Sequence, residues 1–147
     1  MFKKIINACI KRFLRLLWES PQILCSLLYL SYLKIIDNIS YIDYDKINKV
    51  FIVNICTQQD PFSLGLFVFL PDYKMPHTTI KHEIGHSKQS TILGPLYLFI
   101  VCIPGLVWHY MCVNFNIFKN INYYWFYTEK WADKLSGITR LSDEKGK

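Results

Sequence analysis

Residues 90–118 run for 29 positions with one ionisable side chain, His109, once cysteine and tyrosine are set aside. By length alone such a run qualifies as a transmembrane helix, which needs about 20 apolar residues. What flanks it forbids that simple reading. Before it lies His82-Glu83-Ile84-Gly85-His86, and after it Glu129 and Asp133 fall four apart in a stretch with helical character. On a helix the two histidines of HExxH lie one above the other, so they can grip one ion while the glutamate reaches a water on it. A catalytic zinc takes three protein ligands and keeps a fourth position open. If the third ligand lies beyond the apolar run, the chain must turn back, because a straight helix of that length would extend about 43 Å. Pro104-Gly105, at the midpoint, is the expected turn. Two arms of about 13 residues, each near 20 Å, would then be too short for a hydrocarbon core of about 30 Å. The expectation is an apolar helical hairpin, either dipping into one leaflet or buried in a compact domain, with a monotopic membrane protein favoured.

The motif has helix signals around it. Pro76 supplies a break, Thr78 and Thr79 offer a hydroxyl cap, and Gly94-Pro95 stops a helix about four turns on. The arrangement HExxHxxGxxH fails, since Gln89 and Ile92 stand where glycine and histidine would be needed. Candidates for the third ligand are His109, Glu129, Asp133, Asp143 and Glu144. The spacing of Glu129 and Asp133 lets one carboxylate bind metal while the other holds a ligand imidazole in its tautomer and orientation. Two histidines merely hydrogen-bonded in a core would not account for this second pair of carboxylates.

The string HExxH followed by a later helix bearing E-x-x-A-D resembles the gluzincin metallopeptidases, in particular the integral-membrane type that includes the prenyl-protein (CAAX) endopeptidases and the HtpX-like peptidases. Residues 60–138, with His82-Glu83-Ile84-Gly85-His86-Ser87-Lys88-Gln89-Ser90 and Phe126-Tyr127-Thr128-Glu129-Lys130-Trp131-Ala132-Asp133 at their centre, also look like a group of small bacterial HExxH proteins. The resemblance implies Zn2+, with His82 and His86 as ligands, Glu83 as general base, Glu129 as third ligand and Asp133 as the partner of His82. It implies hydrolysis of a peptide or protein substrate, with Glu83 taking a proton from water and returning it to the leaving amine. Because no residue matches an oxyanion-stabilising group of the larger enzymes, His109, Tyr123, Tyr124 and Tyr127 are candidates from this chain alone. A zinc-binding structural or regulatory membrane protein is the alternative, and a small membrane adaptor without metal is a third reading.

Hydrophobic residues make up 52% of the 147 and mean hydropathy is +0.16, high for a soluble domain. A single domain is expected, with residues 1–36 as membrane-associating helices and residues 47–138 as the zinc-site core. Phe2, Ile5, Ile6, Cys9, Ile10, Phe13, Leu16 and Leu17 recur at helical spacing, with basic side chains collected opposite. Such a helix suits the headgroups of an anionic leaflet, with Trp18 at the interface. The competing expectation is a solvated helix whose stripe packs on the domain. A signal peptide is disfavoured, since residues 19–22 (Glu-Ser-Pro-Gln) interrupt the pattern and no small-residue cleavage site follows. Residues 49–56 and 63–70 read as a β-hairpin beside the motif helix, one strand of which could hold substrate at its edge; residues 40–46 read as a polar connection. The fold class is therefore α+β, predominantly helical. The five cysteines lack CxxC pairing and read as buried residues of a reducing compartment, so the site is expected to face the cytoplasm. The charge of +6 comes largely from the first 15 residues, where basic groups alternate with aliphatics, which argues against nucleic acid and for lipid. The small size makes a protein partner or oligomer plausible.

Overall fold

The apolar runs at residues 49–56 and 63–70 do form strands, and burial on both faces explains why neither shows a clear alternation. The computed structural model describes residues 2–57, 59–71, 75–118 and 120–140, and only the backbone of residues 2–5 and 8. Asp143 and Glu144 lie outside the described residues. Four strands, β1 (Ile39–Asp45), β2 (Val50–Ile55), β3 (Phe62–Leu64) and β4 (Phe67–Pro71), form one mixed sheet in the order β1-β2-β4-β3. Among the described residues five α-helices accompany it: α1 (Phe2–Trp18), α2 (Ser20–Ile35), α3 (His77–Leu93), α4 (Ile103–Asn114) and α5 (Tyr127–Ser136). The chain is an α+β fold.

Three expectations change here. Residues 49–56 and 63–70 do not pair as a hairpin: β2 and β4 run parallel, and the antiparallel pairs are β1 with β2 and β3 with β4. Residues 63–70 are split by Gly65, whose φ of 62° turns the chain between β3 and β4. Only glycine adopts that conformation without a Cβ penalty. Residues 40–45 are strand, not connection, and Lys46 begins the turn that follows. Their polar side chains belong to an edge strand with an exposed face, the pattern that blunts an edge against foreign strands. β2 and β4 are internal, so of residues 49–56 and 63–70 only the short β3 offers an edge.

Parity sets the layers. Val53, Ile55, Phe67 and Phe69 pack with Leu33, Ile23 and Leu30 of α2 on one face of the sheet, while Val50, Val68 and Leu70 pack with Ile80 and Ile84 of α3 on the other. The motif helix is therefore seated on the sheet by its apolar positions, which turns the histidines to the far side.

The apolar segment bends earlier than expected. Gly94, with φ 54° and ψ −131°, ends α3, and the axis turns by 119° between residues 77–96 and 98–114. A Cβ on Gly94 would collide with the Trp18 ring, so both backbone and space demand glycine. Pro104 instead follows the π-helical turn Leu98–Cys102 that runs directly into α4; the Ile100 carbonyl, four residues before it, accepts from the Tyr127 hydroxyl, and Gly105 continues the helix. Among the described residues no single helix is long and apolar enough to cross a membrane. At the start of α3 the amides of Thr79 and Ile80 bond to the carbonyl of Pro76, with no hydroxyl cap from Thr78 or Thr79. The five cysteines are free thiols, but Cys9, Cys25 and Cys56 are exposed where burial was expected, because outward positions of this chain are themselves apolar.

Candidate metal centre

His82 and His86 stand one turn apart on α3 and meet Glu129 of α5. The ligand atoms of these three side chains all lie within 4.8 Å of one another, so the group could bind a metal ion. Glu129 Oε2 is 3.0 Å from His82 Nε2 and 3.4 Å from His86 Nε2. With zinc–nitrogen bonds of about 2.0–2.1 Å, two ligands on a tetrahedron are separated by about 3.3 Å, so these separations fit the ion.

The close approach of the two helices is written into the motif itself. Gly85 faces Ala132, and a Cβ there would collide with the Ala132 carbonyl. Glycine at the fourth position of HEIGH thus lets α5 come near enough for Glu129, one turn from Ala132, to reach the histidines. The far end of α5 is closed by Gly137 in the left-handed conformation, with the amide of Ile138 returning to the Asp133 carbonyl. That Schellman-type cap stops the helix just after its last site residue.

Both imidazoles are held through Nδ1, with Nε2 turned to Glu129. His82 Nδ1 lies 2.7 Å from Asp133 Oδ1, and Arg140 grips the same carboxylate through Nε at 2.5 Å and Nη2 at 3.1 Å. His86 Nδ1 lies 2.8 Å from Gln89 Oε1, whose own amide Nε2 donates to the Thr128 carbonyl at 2.7 Å. With its amide fixed that way round, Gln89 presents oxygen to His86, so Nδ1 carries the proton and Nε2 faces Glu129. Thr128 Oγ1 donates to Glu129 Oε1 at 2.9 Å, which leaves Oε2 for the histidines.

The charges around this point suit a cation. Burial opposes ionisation of His86, but the Glu129 and Glu83 carboxylates outweigh it and raise its pKa to about 9. Burial likewise pushes Glu129 up, and the two imidazoles more than reverse this, holding its carboxyl well below the usual range. Glu83 is buried beside them, and its pKa is pushed up to about 7 by desolvation, against the lowering influence of His86 and His82. Its Oε2 has no hydrogen-bond partner among the described residues. A buried carboxylate oxygen without a partner is costly, and a site that offers it a water or a proton would remove that cost.

Of the candidate auxiliary donors, Tyr123 stays near the site: burial and then the charges of Glu129 and Glu83 raise its phenol well above 10. Tyr124 sets its ring edge-on to His82, with centroids 5.3 Å apart, and carries the Arg140 guanidinium on its face. Tyr127 instead donates to the Ile100 carbonyl, and His109 lies 3.8 Å from Asp60, so the structure does not bring these two into the site. Gln89 and Arg140 escape the sequence reading. Gln89 follows His86 at helical i+3 spacing, which could have marked it; Arg140 lies beyond the end of α5 and left no such signal.

No protein-family profile, curated protein or solved structure matches the chain.

Proposed function

We propose that the protein is a zinc-dependent metallopeptidase of gluzincin type that works at a membrane surface. The observation that carries this is the convergence of His82, His86 and Glu129 beside the buried carboxylate of Glu83, one oxygen of which, Oε2, has no hydrogen-bond partner among the described residues. Zinc held by these three side chains would supply a Lewis acid and bring the pKa of water at the site to about 7. The chain's own residues do the remainder. Glu83, with a pKa near neutrality, is suited to accept a proton from the attacking water and to deliver it to the departing amine. Asp133 and Gln89 hold the imidazoles by Nδ1, so that Nε2 would be the atom offered to the ion.

Membrane association is supported by the apolar bent segment and by the exposed apolar side chains of α1, α2 and α4. The free thiols suit a reducing compartment, and on that ground the site is proposed to face the cytoplasm. Burial of the whole centre favours one rival, a zinc site that stabilises the fold without turnover. The deciding experiment is digestion of an unstructured peptide library by the zinc-loaded protein and by Glu83→Gln. Cleavage by the wild type alone, with zinc retained in both, is the expected result. Zinc in both proteins with no cleavage by either would favour the structural reading.

A further inference from the structure

Surface helices of a water-soluble domain turn an apolar stripe inward and polar residues outward. The corner formed by α1, α2 and the Gly94 bend is built the other way round. At about 100° per residue, Ile6, Ile10, Phe13 and Leu17 of α1 fall within an arc of about 60°, with Arg15 nearly opposite. Arg15 faces the protein: its Nη1 donates to the Lys49 carbonyl at 3.2 Å, and its Nε pairs with Glu19. Trp18, on the same side, donates from Nε1 to the Thr91 carbonyl. The polar side of the helix is thus the anchored one, and the stripe points away, with Phe13 60% and Leu17 56% exposed.

The same inversion continues along the chain. Glu19, Gln22 and Ser26 are completely buried, while Leu24 and Leu28 between and beyond them are largely exposed. At the bend, Ser87 and Ser90 are buried, and Ile92, Leu96 and Phe99 face out. The buried polar groups bind one another across the helices: Gln22 Nε2 donates to Ser90 Oγ and to the Gly94 carbonyl, Ser90 Oγ donates to Glu19 Oε2, and Ser26 Oγ donates to the Leu64 carbonyl. Helices joined by small polar side chains, with leucines turned outward, are the arrangement suited to lipid, where apolar residues gain nothing by packing inward.

We infer that this inside-out corner is a docking face for an anionic bilayer, with α1 lying in the plane of the headgroups and its stripe in the acyl region. Charge complementarity selects that occupant. The first 15 residues hold five basic and no acidic side chains, and Lys11 and Arg12 remain exposed on the two flanks of α1, each about 100° from the nearer edge of the stripe, from where their long side chains reach headgroup phosphates. The face rests on the membrane part of the proposed function and is independent of zinc.

The experiment is flotation of full-length protein with vesicles of phosphatidylcholine alone or with one-third phosphatidylglycerol. Binding to the anionic vesicles should exceed that to the neutral ones at least tenfold, and Lys11→Gln/Arg12→Gln should abolish that difference. Phe13→Glu/Leu17→Glu should lower binding to both at least tenfold, with helical circular dichroism unchanged because both positions are exposed. Equal flotation of Phe13→Glu/Leu17→Glu and wild type, equal flotation on both vesicle types, or a vesicle-free dimer that this variant dissociates would overturn the inference. Zinc measured in the same fractions keeps the two readings apart: flotation without zinc sinks the peptidase and leaves the docking face, and zinc without flotation does the reverse.

Discussion

Gly85 and Arg140 govern the site without offering a ligand atom. Gly85 allows α3 and α5 to touch at Ala132, so Gly85→Ala must push the helices apart; we expect a loss of about 1–3 kcal/mol in urea unfolding together with loss of tight zinc binding. Arg140 acts through Asp133 on His82, and Gln89 acts directly on His86. Replacing either by alanine should weaken zinc about 10–100-fold in chelator competition. Retention of wild-type affinity by both variants would show that the imidazoles need no such orientation. Glu83, His82, His86, Glu129 and Asp133 were legible because HExxH and the i, i+4 carboxylates have a spacing that chemistry dictates. Arg140 was not, since a side chain that reaches back from beyond a helix end leaves no periodicity.

At the level of elements, the helices were easier to read than the sheet. The stop at Gly94, the helical character around Glu129 and the interruption at Glu19 are signals written in local chemistry. Strand pairing is not local: β2 and β4 are apolar on both faces, so nothing in their pattern distinguishes a parallel from an antiparallel partner. The bend falls at Gly94 and not at Pro104-Gly105, because the π-helical turn Leu98–Cys102 carries the helix through the proline, whereas Gly94 has both the positive φ and the close contact with Trp18. The sheet is also what seats the motif helix. Phe69, fully buried against α2, should cost about 3–5 kcal/mol when replaced by alanine, read as a lowered urea midpoint with an unchanged m-value.

Across the whole molecule, two chemistries meet: a polar, cation-seeking centre between α3 and α5, and a surface whose leucines and phenylalanines face outward. Linkage ties the first to stability. A hundredfold excess of free zinc over its Kd should add about 2.7 kcal/mol, raising the melting temperature of a chain of this size by roughly 5–10 °C, and a chelator should reverse it. The most direct test of the account is the metal content of detergent-purified protein by elemental analysis, beside His86→Ala and Glu129→Ala. The account predicts close to one zinc per wild-type chain and little in either variant. A wild type without metal after zinc reconstitution, or variants that keep it, would contradict a centre built from His82, His86 and Glu129.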